Sequence, residues 1–376
     1  MPRRGENIYK RKDGRWEGRY IKGHDVNGKA QYGYIYGKTY SEVKLSLKNS
    51  QSQILKPEGS FKKKSAIYAT VLTSWLESQR LSIKESTYAR YHQIIYTHLI
   101  PDIGSVKIEK ISAKLIENYL AQLIESGRID GTGGLSSKTT SDILAIIKET
   151  VEYAEYNDYP LQCKLDKVSI KQHKEEMRVL SVEEQQKLTL LLLEDTDLTK
   201  FGVLLSLYTG IRLGELCALK WGNLSISDGV LSIRETMQRI KDTSNQSVAK
   251  TKIVITEPKS KCSVRDIPLP AFIISIAKGF QSSSSSYVLT GEKNRYIEPR
   301  TMQNRFKSLL SEGQIADANY HALRHTFATR CIEVGFELKT LSEILGHSTV
   351  NITLNRYVHS SLDLKKENMN KVACVS

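Results

Sequence analysis

The chain has 376 residues, 40% apolar and 26% charged, with a formal net charge of +14. This length predicts two or three folded domains, and the composition is typical of a soluble globular protein. The sequence contains no uninterrupted apolar run of transmembrane length, and no apolar segment follows the basic N-terminal residues, so we expect neither a membrane partner nor a secretory signal.

The basic charge is concentrated at the start of the chain, where residues 1–64 carry 16 Lys and Arg against 6 Asp and Glu, a net +10. Such a cluster attracts a polyanion, because each neutralised phosphate releases condensed counterions. Aromatic residues lie between these charges, which favours a folded basic surface over a disordered tail. The alternative is a protein that is basic and soluble without a nucleic-acid partner. The candidate DNA contacts are Arg11, Lys12, Arg15, Arg19, Lys62, Lys63 and Lys64.

Residues 7–37 alternate polar with aromatic or β-branched side chains, and two dipeptides typical of hairpin turns, Asp13-Gly14 and Asn27-Gly28, interrupt them. This pattern predicts three strands. A short helix should follow over 39–55, with Tyr40, Val43 and Leu47 on one face. We therefore predict a βββα domain over residues 1–56, followed by a linker at 57–65 that is rich in Pro, Gly and Lys.

A helical period then runs through the next hundred residues. Four apolar-periodic segments, the last two separated by a Gly- and Ser-rich loop at 127–138, predict an all-α bundle over residues 66–165.

The third predicted domain spans residues 176–376. Ser181 and Glu184 have the spacing of a helix-capping box. Most of the domain has a helical period, but alternating segments within 229–270 predict a small antiparallel sheet. The predicted fold class is therefore a multidomain α+β protein, with a βββα domain, a helical bundle and a mostly α domain that carries the sheet.

The stretch LLSLYTGIRLGELCALKWGNL (204–224) offers the first candidate functional residues. An apolar helix should stop at Gly210, and Arg212 and Glu215, three residues apart, can share a face. A guanidinium matches the oxygens of a phosphate. A structural pair between Arg212 and Glu215 explains this stretch equally well.

The second candidate stretch is NYHALRHTFATRCIEVG (319–335). Its predicted buried stripe consists of Leu323, Phe327, Cys331 and Val334. His321 and Arg324 are three residues apart and should lie outside the centre of that stripe. A lone His at a helix start is more often a cap or a packing residue, but a His and an Arg on one face of a basic chain indicate a phosphate site.

The third stretch is LGHSTVNITLNRYVHS (345–360). Gly346 has the position of a helix-ending glycine, which places His347 in a turn. The next helix should bury Val350, Leu354 and Val358. Tyr357 is adjacent to that stripe, so its phenol should face the protein interior. This position suits a core tyrosine as well as a nucleophile.

The fourth stretch, ITEPKSKCSVRDIPL (255–269), places Lys259 and Lys261 near a predicted hairpin tip. Lysines at such a tip are by default ordinary solvated side chains.

TGIRLGEL, HALRH and LGHSTVNITLNRY, in this order, resemble the catalytic signature of the tyrosine recombinases of the lambda-integrase class. PKSKCSVRDIPL is similar to the β-hairpin that carries the catalytic lysine in that family. The surroundings of RKDGRWEGRY are similar to the arm-DNA-binding domain of integrases from conjugative transposons and phages of low-GC Gram-positive bacteria. Residues 66–165 resemble the helical core-binding domain. The resemblance thus covers nearly the whole chain.

The resemblance implies a role for each matching residue. Arg212 and Arg324 would clamp the scissile phosphate, with Glu215 supporting Arg212. His321 and His347 would hydrogen-bond the phosphate and assist proton transfer. Tyr357 would attack phosphorus, and Lys259, or alternatively Lys261, would protonate the departing 5′-hydroxyl.

These residue types suit the reaction that the resemblance implies. Attack on a phosphodiester builds negative charge on its non-bridging oxygens, and two guanidinium groups stabilise that charge without a metal. A phenol has an unperturbed pKa of about 10, and nearby arginines should favour its ionised form. A lysine can protonate the poor 5′-alkoxide leaving group. The phosphotyrosine conserves the bond energy, so that DNA is rejoined without ATP.

The resemblance also implies the partners. These are double-stranded DNA at core and arm sites and a homotetramer on that DNA, with an excisionase and a host DNA-bending protein as candidate accessory proteins. No cofactor and no metal are expected. The five cysteines are scattered and form no metal-binding pattern, which predicts reduced thiols in the cytoplasm.

Two other functions remain open from the sequence alone. One is a DNA-binding regulatory protein without strand transfer, in which the Tyr and His residues are part of the core. The other is a metal-dependent transposase, which needs clustered carboxylates. The candidate site offers mainly Glu215 and Glu343.

Overall fold

The computed structural model describes residues 7–24, 29–54, 66–161, 163–172, 177–243, 250–258 and 260–357. The chain divides into two compact units. The first comprises residues 1–71, 103–119 and 147–168, and the second comprises 72–102, 120–146 and 169–376. Every candidate catalytic residue belongs to the second unit. Among the described residues, no helix combines the length and the apolar character that a membrane crossing requires.

The first unit begins with the predicted βββα arrangement, which is confirmed. Its elements are β1 (Ile8–Lys10), β2 (Trp16–His24), β3 (Ala30–Gly37) and α1 (Tyr40–Ile54). β2 pairs antiparallel with both neighbours. Val43 and Leu47 of α1 pack with Ile8, as the helical period predicts. The predicted turn at Asp13-Gly14 is present, with φ of 85° at Gly14, whereas Asn27-Gly28 lies outside the described residues.

Four main helical segments come next, in agreement with the predicted period. Their elements are α2 (Tyr68–Gln79), α3 (Glu85–Ile94), a π-helical turn (Ile95–Leu99), α4 (Ile100–Ile103), α5 (Ala113–Ser126) and α6 (Ser137–Tyr156). The two units share these helices. Within the first unit, the buried hydroxyls of Tyr68 and Thr150 lie 2.6 Å apart. Within the second, Trp75 stacks on Tyr91 with ring centroids 5.5 Å apart.

The remainder of the second unit is mostly helical, and much of it packs around an apolar core that includes Phe201, Trp221 and Phe306. A separate buried cluster contains Leu345 and Tyr357. The capping box of Ser181 and Glu184 is present at its first helix. Its helices are α7 (Val182–Leu193), α8 (Leu198–Thr209), α9 (Leu213–Ala218), α10 (Ala271–Phe280), α11 (Pro299–Glu312), α12 (His321–Glu333), α13 (Leu338–Leu345) and α14 (Val350–Tyr357).

The predicted small sheet is present as two separate sheets. One contains β4 (Leu224–Ser225), β5 (Val230–Ile233) and β8 (Arg265–Pro268), and the other pairs β6 (Thr236–Lys241) with β7 (Thr251–Thr256). The predicted hairpin tip at Lys259 and Lys261 is therefore wrong, since β7 pairs with β6 whereas β8 pairs with β5. Pro258 cannot donate to a ladder, and a short turn at Lys261–Ser263 leads the chain from one sheet to the other.

Two predicted buried faces also need correction. In α12, Arg324 is itself buried, with 2% of its surface exposed, whereas Val334 follows the helix and is 74% exposed. In α14, Val350 and Leu354 are exposed, and Thr353 and Tyr357 form the buried face. Arg324, Thr353 and Tyr357 are buried for the same reason. Each buried polar side chain finds hydrogen-bond partners inside the protein, which removes the usual cost of burying it.

Candidate active site

Two left-handed glycines shape the backbone around the site. Gly210 ends α8 with φ of 65°, and Gly346 ends α13 with φ of 64°. Such glycines let the chain turn sharply at a helix C-terminus, where the last carbonyl groups lack partners within the helix. A Cβ atom at Gly346 would lie 3.0 Å from the Arg265 side chain and from the Cys262 carbonyl oxygen. The turn therefore requires a glycine for space as well as for its φ angle.

Both candidate phosphate-binding arginines are anchored on these two turns. Arg324 donates to the carbonyl oxygens of Gly210 and Leu345, each at 2.7 Å. Arg212 donates to the Gly346 carbonyl at 3.2 Å and to the Glu215 carboxylate at 2.7 Å. A guanidinium has five N–H groups, so donors remain on each arginine for the oxygens of a phosphate.

Glu215 links Arg212 to a further arginine, Arg265 of β8, which was not predicted to belong to the site. Arg265 donates to both carboxylate oxygens of Glu215, at 3.1 and 2.9 Å, and the pair is almost fully buried. It also donates to the carbonyls of Ile344 and Ser263, at 2.6 and 3.1 Å. Burial by itself would raise the pKa of Glu215, but the hydrogen bonds and charge of Arg265, with that of Arg212, hold the pKa below its usual value.

His347 occupies the turn after Gly346, as predicted, and its tautomer follows from its neighbours. Its Nε2 lies 3.0 Å from a guanidinium nitrogen of Arg324, and its Nδ1 lies 2.8 Å from the Thr353 hydroxyl. A guanidinium can only donate, so Nε2 accepts and Nδ1 carries the proton. Burial and the charges of Arg324 and Arg212 lower the pKa of His347 to about 3, so the ring is neutral at pH 7.

Tyr357 ends α14 with its phenol inside the protein. The ring lies nearly parallel to that of His347, with centroids 6.3 Å apart and planes at 9°. The phenol oxygen lies 3.0 Å from Nδ1 of His325. Burial raises the pKa of Tyr357 more than the charges of Arg324 and Arg356 lower it. The arginines thus favour the ionised phenol, as expected, but burial outweighs their effect in the DNA-free protein.

His321 lies at the start of α12, where part of its surface is open to solvent and the rest is covered by protein. Desolvation by the surrounding protein, with the neighbouring His325 and Arg324, lowers the pKa of His321 to about 4. His321, Arg324, Arg212 and His347 line one cavity of about 340 Å³. The full lining is Arg212, Ser260, Ser263, His321, Arg324, Gly346, His347, Ser348, Ile352 and Arg356. The structure thus brings together four of the six predicted catalytic residues, and the ring of Tyr357 stacks on one of them, His347.

The candidate lysines are placed only through their neighbours. Lys259 lies outside the described residues. Lys261 begins the short turn that ends at Ser263, and both Ser263 and the preceding Ser260 line the cavity. Lys84, which precedes α3, donates to the carbonyls of Glu257 and Pro258 at 3.2 and 3.1 Å. The choice between the two lysines therefore stays a prediction.

The candidate DNA contacts of the first unit lie beside exposed aromatic rings. The Arg19 guanidinium lies 4.5 Å from the Tyr32 ring centroid. Arg11 and Arg15 lie 5.5 and 5.8 Å from that of Tyr36. Both of these arginines also form ion pairs with nearby acids, and Lys12 is exposed. Lys62, Lys63 and Lys64 lie outside the described residues.

The residues of the site that were missed from the sequence include His325, Arg265, Arg356 and Thr353. Arg265 had a usable signal, because it alternates with the buried Ile267 on one face of a strand. His325 directly follows Arg324 and had no periodic signal of its own. Among the described residues, no group of three or more His, Cys, Asp and Glu side chains could hold a metal ion.

Comparisons with known proteins agree with this geometry. A model of the phage integrase family matches residues 173–363, about half of the chain, and one of the phage integrase N-terminal SAM-like domain matches residues 68–124. A tyrosine recombinase XerC-like protein of Caldanaerobacter subterraneus is 27% identical over 362 residues, covering 90% of each chain. The ICEBs1 integrase of Bacillus subtilis is 22% identical over 342 residues, covering 87% of this chain and 88% of its own.

The fold is similar to that of the Tn1549 transposon integrase in complex with a circular intermediate DNA. The TM-score is 0.65 at 20% identity, over 82% of this chain and 100% of that one. Together with the family match over residues 173–363, these similarities show that the chain belongs to the phage integrase family, the tyrosine recombinases of the lambda-integrase class.

Proposed function

We propose that the protein is a site-specific DNA recombinase that integrates and excises a mobile element through a 3′-phosphotyrosine intermediate. One observation carries this proposal. Arg212, His321, Arg324 and His347, which come from three separate stretches of sequence, line one cavity, and the ring of Tyr357 stacks on His347. These residues supply the donors and the nucleophile that phosphoryl transfer needs.

The reaction follows from the positions of these groups. Arg212 and Arg324 bind the non-bridging oxygens of the scissile phosphate, while their anchors on the two glycine turns fix their orientation. The Tyr357 oxygen attacks phosphorus, and Lys259, or alternatively Lys261, protonates the departing 5′-oxygen. The 5′-hydroxyl of a second strand then reverses the step and joins new partners. Neither ATP nor a metal is required in this scheme, because the phosphotyrosine keeps the bond energy.

The neutral tautomer of His347 bears on how it contacts the phosphate. Nε2 accepts from Arg324 in the DNA-free site, so it cannot donate to a phosphate oxygen at the same time. If the proton moves from Nδ1 to Nε2, the Thr353 hydroxyl can donate to Nδ1 instead of accepting from it. Thr353 therefore allows a neutral His347 to donate a hydrogen bond to a phosphate oxygen. The ring need not acquire a positive charge, which the neighbouring arginines disfavour.

The domains have distinct roles in the proposal. Residues 1–56 bind arm sites through the basic, aromatic sheet surface, residues 57–65 form a linker, residues 66–165 bind the core site and residues 176–376 carry out catalysis. Because one linker joins the two DNA-binding surfaces, binding of the first surface raises the effective concentration of the second surface near its own DNA site. The active assembly is a cytoplasmic tetramer on two duplexes, by analogy with a lambda integrase tetramer bound to a Holliday junction. An excisionase and a host DNA-bending protein are the proposed accessory partners.

A nicked suicide duplex that carries the core site tests the proposal. Cleavage releases a short 5′-hydroxyl strand that diffuses away, so wild type should accumulate a covalent protein–DNA adduct, in EDTA as well as in Mg²⁺. Tyr357→Phe should bind the duplex with unchanged affinity and form no adduct. Tyr208→Phe is the matched control, since this half-buried tyrosine contacts Thr189, and it should cleave normally. DNA binding by wild type without any adduct would indicate a regulatory DNA-binding protein instead, and a requirement for metal would indicate a transposase.

A further inference from the structure

The resemblance to the family gives His325 no role, yet this residue contacts the reacting atom. Its Nδ1 is 3.0 Å from the Tyr357 phenol oxygen, and both residues are buried. We propose that His325 is the general base that takes the proton of Tyr357 during strand cleavage and returns it during rejoining. This inference rests on the proposed function.

The other histidines near the phenol are less suitable as acceptors. The His347 ring lies nearly parallel to that of Tyr357, so its in-plane nitrogen lone pairs point away from the phenol face. Both nitrogens of His347 are also engaged, by Arg324 and Thr353. His321 lines the cavity on the phosphate side and meets His325 edge to face, with ring centroids 4.7 Å apart. Of the three rings, His325 directs a nitrogen at the phenol oxygen.

The proposal fixes the direction of the hydrogen bond between His325 and Tyr357. A neutral imidazole has one donor and one acceptor nitrogen. Nδ1 of His325 accepts the phenol proton when the ring carries its own proton on Nε2. The proposal therefore requires this tautomer of His325.

The charges around His325 make proton uptake depend on substrate. Burial and the charges of Arg356 and Arg324 lower the pKa of His325 to about 4, so the ring is a neutral acceptor at pH 7. The groups that face it are His321 and Arg324 from α12, and Arg356 and Tyr357 from α14. Arg324 and Arg356 also line the phosphate cavity. A bound phosphate offsets their charge and raises the proton affinity of His325 when the reaction needs a base.

The bonds and protons of the step balance. The Tyr357 O–H bond breaks and its proton moves to Nδ1 of His325, which becomes an imidazolium. The bond between the Tyr357 oxygen and phosphorus forms as the bond from phosphorus to the 5′-oxygen breaks. That oxygen takes its proton from the lysine of the 257–264 segment. Rejoining runs the same transfers in reverse, and no oxidant, reductant or metal enters.

Two substitutions at this position separate the possible roles of His325. In His325→Asn, the amide oxygen occupies the place of Nδ1 and accepts the same hydrogen bond, but it takes up no proton. His325→Leu removes the acceptor. On the suicide duplex under single-turnover conditions, both should form adduct about 100-fold to 10,000-fold more slowly than wild type, with unchanged binding to the duplex. Tyr208→Phe, whose hydroxyl contacts Thr189 and does not line the cavity, should leave the rate unchanged.

Two chemical probes test for base catalysis itself. A duplex with sulfur in place of the bridging 5′-oxygen has a leaving group that needs no acid, so it should restore a lysine variant but not His325→Asn. A fluorinated tyrosine at position 357 ionises more easily and should partly restore His325→Asn. An adduct rate for His325→Asn within twofold of wild type overturns the inference, and so does its rescue by the sulfur leaving group.

A measurement on unmodified protein covers the case in which the variants fail to fold. Nitrogen-15 NMR of wild-type protein should find Nδ1 of His325 without a proton and Nε2 with one, and a proton on Nδ1 overturns the inference. The experiments also separate this inference from the function on which it rests. If wild type forms no adduct, the recombinase proposal fails. If wild type and His325→Asn form it equally fast, only the role of His325 fails.

Discussion

Replacing Arg265 by Met should destabilise the protein by about 3–5 kcal/mol, the cost of breaking a buried ion pair by removing one partner. Methionine keeps the approximate length of the side chain but leaves the Glu215 carboxylate, which is 3% exposed, without its two hydrogen bonds from Arg265. The carbonyls of Ile344 and Ser263 lose donors as well. An exposed pair gives the matched control. Arg295→Met breaks the Arg295–Glu292 pair at the surface and should cost less than about 1 kcal/mol.

The pH dependence of that difference sharpens the prediction. In wild type the pKa of Glu215 is lowered in the folded state, so its stabilisation is present above the unfolded pKa and is lost as the pH falls through the folded pKa. In Arg265→Met, only Arg212 is left to oppose the rise that burial causes in the pKa of Glu215. The Glu215 carboxyl of the folded variant therefore binds a proton at a higher pH than in wild type, and protonation removes the unpaired buried charge. The stability gap between wild type and variant should therefore be largest near pH 7 and should shrink as the pH falls toward 4.

Urea unfolding followed by tryptophan fluorescence and far-ultraviolet circular dichroism, at pH 7 and at several lower values, measures this gap. The two probes report whether the catalytic unit unfolds in a single transition. A loss below 1 kcal/mol at pH 7, or a gap that grows as the pH falls, would refute the assignment of Arg265 as the partner that keeps Glu215 ionised. Adduct formation by the folded variant should also be slower, because Glu215 then holds Arg212 less firmly.

The contacts of the two glycine turns and of the first unit lead to three further predictions. Thr353→Val removes the hydroxyl that lets His347 change tautomer, so the rate of adduct formation should fall at least about tenfold, the equivalent of 1.4 kcal/mol in activation free energy. Thr353→Ser keeps a hydroxyl and should stay near the wild-type rate. Equal rates for the Val and Ser variants would exclude this role. Gly346→Ala should cost about 1–2 kcal/mol from the left-handed backbone alone, and the contact with Arg265 should add to that loss; an unchanged urea midpoint would contradict the described turn. Deleting residues 1–56 should weaken binding to arm-site DNA and make its affinity depend less steeply on salt concentration, since fewer phosphates are neutralised. Adduct formation on a core-site duplex should persist. An unchanged salt dependence would mean that other residues bind the arm sites.

Local spacing was enough to predict the residues that act through their neighbours in sequence. The Arg212–Glu215 pair, the capping box at Ser181 and the glycine ends of α8 and α13 all lie within three or four residues of their partners. The βββα unit follows from strand alternation and a turn signal in the same way. Because such patterns depend only on the period of a helix or strand, they are readable without a structure.

The residues that were missed or misplaced depend on partners far along the chain. Arg265 meets Glu215 across 50 positions, and His325 meets Tyr357 across 32. Apolar content favoured Val350 and Leu354 as the buried face of α14, but the hydrogen bonds of Thr353 and Tyr357 decide which face turns inward. The hairpin at Lys259 failed for a similar reason, because pairing of β8 with β5 is a long-range event.

The most direct test of the recombinase proposal is to identify the amino acid that becomes attached to DNA. Adduct from a suicide duplex is digested with protease and nuclease, and the modified peptide is sequenced by mass spectrometry. The nucleotide should be attached through its 3′-phosphate to Tyr357, with the released strand ending in a 5′-hydroxyl. Attachment to another residue, linkage through a 5′-phosphate, or broken DNA without attached protein would contradict a mechanism in which this buried phenol is the nucleophile.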